Sequence, residues 1–177
     1  FAMRDFAVET ADGWPLAAAS SAWLVIDLST RRPVRHHVFP DHVPVLPDRL
    51  ALGRSPRKLP RLESPEVSAP LEVRYGDLDV NGHVNYARYV GWIMDRYGSE
   101  FRQRHVPESL EIDYLAETLE GELVRVATTA DGDGALHAVI RESDTKEACR
   151  ASVRWRVLPE PRHTGERLLH LMHGEIR

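Results

Sequence analysis

The sequence predicts an α+β fold in which one helix packs on an antiparallel sheet. Three observations carry that expectation. Residues 86–97 place apolar side chains at helical spacing, four later stretches read as strands, and no second helical pattern interrupts those strands. A parallel α/β fold would instead alternate helices with strands throughout.

Each element follows from its own pattern. Pro70–Tyr75 alternates, with Leu71, Val73 and Tyr75 on one side and Glu72 and Arg74 on the other, the signature of a half-buried strand. Gly76–Asn85 is polar and turn-rich. Tyr86, Tyr89/Val90, Ile93/Met94 and Tyr97 then form one stripe, flanked by Arg88, Asp95 and Arg96. Gly98 is expected to cap this long helix at its C-terminus, and Gly91 to admit the sheet closely. Leu110, Ile112 and Tyr114 alternate with Glu111 and Asp113, and Glu122–Thr128 follows as a strand. Ala130–Gly134 (ADGDG) reads as a hairpin turn before the strand Leu136–Arg141. In Cys149–Val157, Cys149, Ala151, Val153, Trp155 and Val157 face one way. Arg150, Ser152, Arg154 and Arg156 face the other.

Upstream, the composition changes. Eight of the 12 prolines lie between Pro33 and Pro70, which blocks helix and central strand alike. Arg31–Arg61 carries about +6 and the remainder about −10. This stretch reads as an extended linker behind an N-terminal piece. That piece resembles the end of the later domain: Ala19-Ser20-Ser21-Ala22-Trp23-Leu24-Val25 overlays Ala151-Ser152-Val153-Arg154-Trp155-Arg156-Val157. Ala7-Val8 meets Ala138-Val139 if one residue is inserted in the turn. On this reading the first copy lacks its opening strand, its helix and the next strands, so the chain begins in mid-domain. The expected partition is 1–34 for these closing strands, 35–65 for the linker, 66–160 for a complete domain and 161–177 for a tail.

Composition narrows the function classes. With 177 residues, 42% hydrophobic and 28% charged, the chain is globular. A net charge of −4 argues against a nucleic-acid partner gripped through phosphates. The single cysteine, Cys149, excludes an internal disulfide framework and a thiolate-rich zinc site. It sits on the apolar face of its strand and reads as core. His36, His37 and His42 lie in the linker without a nearby acidic or thiol ligand set, so no metal site is expected. Without a membrane span or a secretory signal, the expectation is a soluble, cytoplasmic protein.

The densest polar cluster runs from Asp77 to Asn85 and enters a helix N-terminus, where unpaired N–H groups and the positive dipole end can hold an oxyanion. His83 can move protons near neutral pH. Asn81 can orient a carbonyl or a water, and Asp79 can orient His83 or activate water. The same residue types also make turns and caps, so Asp77, Asp79, Asn81 and Asn85 fit either role.

Asp77-Leu78-Asp79-Val80-Asn81-Gly82-His83-Val84-Asn85, with Tyr89 and Gly91-Trp92-Ile93, resembles the signature loop and helix of fatty acyl-ACP thioesterases, enzymes built as two tandem hotdog domains. The resemblance extends from Arg4–Val34, similar to the closing strands of a first hotdog, through the linker to about Leu158. It implies a hotdog fold, with one complete hotdog behind the C-terminal strands of a partial one. It also implies release of fatty acids from acyl carrier protein without cofactor or metal. The family's catalytic Asp, Asn and His fall on Asp79, Asn81 and His83. Its Glu-Cys pair, on the strand after the helix, falls on Glu117 and Thr118. Thr in place of Cys removes a Cys–His nucleophile, which leaves water attack or a carboxylate role for Asp79. Gly82, Val84, Asn85 and Thr118 are implied in substrate binding.

Acyl carrier protein is acidic, so Arg54, Arg57, Lys58 and Arg61 can steer it; equally, they can serve only to keep a linker solvated. Rival readings are an acyl-CoA hotdog thioesterase and a non-catalytic or truncated acyl-binding hotdog. Pairing of two copies into a homodimer is open.

Overall fold

Cys149, Ala151 and Val153 are fully buried, and the sheet is built around the strand that carries them. The computed structural model describes residues 2–27, 29–30, 32–34, 51–54 and 56–159. The chain divides into two units, Phe1–Lys58 and Leu59–Arg177. His36, His37 and His42 lie outside the described residues.

In the first unit β1 (Ala2–Glu9) and β2 (Pro15–Trp23) form an antiparallel hairpin. Its turn is closed by Thr10, whose Oγ1 accepts the Trp14 N–H at 2.9 Å, and by Gly13 at φ +85°.

The second unit holds a six-stranded antiparallel sheet. Its strands are β3 (Glu66–Val67), β4 (Leu71–Glu72), β5 (His105–Tyr114), β6 (Leu123–Asp131), β7 (Gly134–Arg141) and β8 (Glu147–Val157). The order is β3-β6-β7-β8-β5, with β4 also on β6. Helix α1 (Tyr86–Met94) buries Tyr89, Trp92 and Ile93 against Val124, Val126, Val139 and Val153. Each such aliphatic side chain contributes about 1.5–3 kcal/mol by leaving water. One helix laid on an antiparallel sheet is the hotdog-type layout. The turn between β6 and β7 falls in ADGDG as expected, with Gly132 at φ +60°. Gly134 is needed for another reason: a Cβ there would run into the Val153 carbonyl.

The register of the first hairpin repeats that of β7 and β8. Met3↔Ala22 through Val8↔Ala17 correspond, pair for pair, to Gly134↔Arg154 through Val139↔Cys149. Both ladders shift register at the next residue, after Val8 and after Val139. This is the alignment that the Ala-Ser-Trp-Val matches specify. Cover differs, however: Val139 is buried under α1, whereas Val8 is exposed.

Several expectations are corrected. The helix does not run to Gly98. It stops at Met94, because Arg96 and Tyr97 donate to the carbonyls three residues back, which tightens the chain. That turn brings Tyr97 onto Trp155 and Phe101, with ring centroids 4.6 Å and 4.9 Å away. Gly98 then starts a second helix, α2 (Ser99–Arg104), as its N-cap. Gly91 admits no close neighbour: among the described residues nothing lies within reach of a Cβ placed there. The strand expected over Pro70–Tyr75 is regular only at Leu71–Glu72; Val73 still donates its N–H to the Glu122 carbonyl and accepts the Gly121 N–H, and Tyr75, itself exposed, opens a 3-10 turn. On β8, Val157 is exposed despite its apolar face, and Arg150 is buried despite its polar one. Arg150 Nη1 donates to the Leu59 carbonyl at 2.6 Å, and its guanidinium pairs with Glu147. The Leu59 N–H donates in turn to Asp113, the register partner of Arg150, at 2.9 Å. The segment at Leu59 therefore covers that face of the sheet in place of water.

Candidate active site

The loop before α1 is shaped by two carboxylates with different duties. Asp77 is buried and accepts the Arg74 N–H at 2.9 Å and the Arg88 Nε–H at 2.6 Å. Its carbonyl accepts the Asn85 N–H at 2.8 Å, tying the two ends of the loop together. Arg88 reaches it from the exposed flank of α1, one turn beyond the Asn85 cap, whose Oδ1 accepts the Ala87 N–H at 2.9 Å.

Asp79 organises the loop's tip. Its N–H donates to the His83 carbonyl at 2.8 Å, and its own carbonyl accepts the Gly82 N–H at 3.1 Å. Gly82 sits at φ +75°, a conformation suited to glycine. The Asp79 carboxylate accepts the Asn81 N–H at 2.8 Å, the His83 N–H at 3.4 Å and the Asn81 Nδ2–H at 3.4 Å. The Asn81 N–H is the main reason that its carboxyl is held below the ordinary value, so it stays ionised.

These bonds present the His83 ring toward Glu117, with Nε2 3.5 Å from Oε2. The imidazole is 31% exposed and the carboxylate 54%, so solvent reaches both. Glu117 does not lie on a strand, as the resemblance implies, but in the connection from β5 to β6. That connection is joined to the loop where the Val84 N–H donates to the Thr118 carbonyl at 3.0 Å. The structure thus brings Asp79, Asn81, His83 and Glu117 together, with Gly82 and Asn85 on the loop surface. Val84 and Thr118 differ: their side chains are buried, and the backbone is their link to the site. Among the described residues the Thr118 hydroxyl makes no well-formed hydrogen bond, although it lies near enough to Tyr89 to offset part of the upward push that burial gives that phenol. Arg54, Arg57, Lys58 and Arg61 are all exposed.

Residues without a role in the sequence motif also border the loop. Arg88, in sequence only a charge flanking the apolar stripe, is one of them. Tyr114 on β5 packs its ring, tilted, against Tyr86 with centroids 4.3 Å apart and donates its hydroxyl to the Tyr86 carbonyl at 3.1 Å, bracing the first turn of α1. Burial pushes the Tyr114 phenol up to about 12, so it remains a donor. An open hollow of about 830 Å³, lined by Arg74, Asp77, Arg88 and Trp92, lies beside the loop. Cys149 is core, as expected; burial pushes its thiol up to about 12.

The family model for the acyl-ACP thioesterase C-terminal domain matches residues 62–157, over half of the chain. The chain belongs to this family. Among the acyl-ACP thioesterases, a chloroplastic acyl-carrier-protein hydrolase of Cuphea viscosissima is 29% identical over 171 residues, covering 86% of this chain and 40% of its own. The acyl-ACP thioesterase of Bacteroides thetaiotaomicron superposes with a TM-score of 0.77 at 28% identity, covering 87% of this chain and 62% of its own. The 12:0-ACP thioesterase of Umbellularia californica gives 0.75 at 28%, covering 88% and 62%. The chain therefore spans less than half the length of that curated acyl-ACP thioesterase and under two thirds of either solved one.

Proposed function

We propose that this protein hydrolyses the thioester between a fatty acyl chain and acyl carrier protein. The observation that carries the reading is the approach of His83 to Glu117 across two separate loops, within a family of acyl-ACP thioesterases. A water molecule attacks the thioester carbonyl carbon and gives its proton to the His83–Glu117 pair. Asn81 offers the carboxamide N–H that is not turned to Asp79 to the developing oxyanion. When the C–S bond breaks, the pair returns the proton to the phosphopantetheine sulfur, leaving a fatty acid and a free thiol. Asp79 shapes the turn through backbone N–H groups and is a positioning residue, which favours water over an acyl-aspartate intermediate.

The same proposal includes the organisation of the chain. β1 and β2 are the closing strands of a first hotdog, 35–65 is the linker, whose end at Leu59 already packs within the second unit, and 66–160 is the catalytic hotdog. Support comes from the shared hairpin register. Arg54, Arg57, Lys58 and Arg61 steer the acidic carrier protein. Whether two copies pair into a homodimer is open, and sedimentation velocity measures it.

The test is release of free thiol from dodecanoyl- and palmitoyl-ACP, with the matching CoA thioesters in parallel. Hydrolysis of the ACP thioesters that falls at least a hundredfold in His83→Ala supports the reading. Hydrolysis absent from the wild-type chain, or unchanged in His83→Ala, overturns it.

A further inference from the structure

Glu117 stands on a connection without regular structure, and its carboxylate is more than half exposed, yet it must meet His83. Its backbone is held from three directions. Upstream, the Leu115 and Ala116 N–H groups both donate to the Ala148 carbonyl, at 2.8 and 3.1 Å. Downstream, the Thr118 carbonyl takes the Val84 N–H. Between them the Glu117 carbonyl accepts Arg141 Nη1–H at 2.6 Å, the only one of these ties made by a side chain.

Arg141 is itself fixed. It ends β7, its side chain is only 16% exposed, and its N–H donates to the Lys146 carbonyl at 3.0 Å. Asp144 grips the rest of the guanidinium, with Nε 3.2 Å from Oδ1 and Nη2 2.6 Å from Oδ2. That two-point pairing fixes the guanidinium plane and leaves Nη1 directed at Glu117. Lys146 adds a second cation 3.3 Å from Asp144. The Arg141 side chain is the largest reason that the Asp144 carboxyl lies below the ordinary value.

We propose that Arg141, set by Asp144, is the positioning residue that keeps Glu117 within reach of His83. The proposal rests on the hydrolase reading above. It touches no reacting atom; it acts by fixing one peptide unit, and a shift of that unit by about 1 Å is enough to cost up to a hundredfold in rate.

The test is a double-mutant cycle on dodecanoyl-ACP hydrolysis, with thermal melting and amide hydrogen exchange over residues 115–119 followed in parallel. Arg141→Ala should lower kcat at least about tenfold with KM little changed, and should raise exchange in that segment. Asp144→Asn should move both readouts the same way by less. In a Glu117→Gln background, Arg141→Ala should lower kcat no further, because its effect passes through the Glu117 carboxylate. If the two losses multiply, or if Arg141→Ala leaves kcat unchanged, the positioning role is overturned while the hydrolase reading stands. If Glu117→Gln itself hydrolyses at the wild-type rate, Glu117 has no part in the chemistry and the positioning role falls, while the hydrolase reading stands on His83.

Discussion

The Asp77 carboxylate takes the Arg88 guanidinium on a single oxygen, with Nε and Nη2 each 2.6 Å from Oδ1. Asp77 is buried and Arg88 is half exposed, so the arginine side matters chiefly for what it leaves behind. Arg88→Ala strands a buried carboxylate with the Arg74 N–H as its remaining hydrogen bond among the described residues. The expected cost is about 1–3 kcal/mol in chemical denaturation. The loop is joined to α1 here, so kcat should fall as well. Asp77→Asn keeps the shape and should cost less on both counts; equal losses in the two variants would speak against this account.

Asp79 separates a turn-shaping role from a nucleophilic one. Its hydrogen bonds run to N–H groups, and an asparagine side-chain oxygen can accept two of them in its place. Asp79→Asn should therefore retain measurable turnover, at least tenfold above Asp79→Ala, in a steady-state assay. A covalent acyl-aspartate route demands instead that both variants be dead.

His137 gives the protein an acid limit. It is fully buried, with Nε2 2.8 Å from the Tyr97 hydroxyl and Nδ1 3.0 Å from Thr128 Oγ1. Burial, helped by Arg96, lowers its pKa from 6.5 to about 4. The unfolded chain thus binds this proton at higher pH than the folded one. The contribution to stability is complete above pH 6.5 and is lost as pH falls through the window down to about 4. Within that window it declines by about 1.4 kcal/mol per pH unit. Denaturation of wild type and His137→Gln at stepped pH should show a flatter profile for the variant between those limits.

How much of this was legible depends on whether a residue answers to its neighbours in sequence or to distant ones. Cys149, Ala151 and Val153 are period-two residues on a central strand, and their burial follows the pattern. The Ala-Ser-Trp-Val matches gave a register that the two hairpins share. Arg150 breaks its pattern because the Leu59 segment, far away in sequence, covers it. The early end of α1 was hidden for a similar reason: Tyr97 keeps helical spacing, but it is drawn to His137 and Trp155 across the sheet. At the site, Asp79, Asn81 and His83 were visible as one dense loop. Glu117 could be placed only by resemblance, and Arg141 carried no signal, since an arginine closing a strand is ordinary.

The exposed cations allow a test that separates docking from chemistry. Arg54, Arg57, Lys58 and Arg61 all face solvent, so reversing them to glutamate should leave melting nearly unchanged. Attraction between this stretch and an acidic carrier acts over about 10 Å at 0.1 M salt and about 3 Å at 1 M. The reversed variant should therefore lose about tenfold or more in kcat/KM on acyl-ACP at low salt, with kcat preserved. The deficit should close as salt approaches 1 M. A small thioester without a carrier protein should be hydrolysed equally by both forms at every salt concentration. Equal kcat/KM values on acyl-ACP at low salt would show that these four charges do no more than solvate their segment.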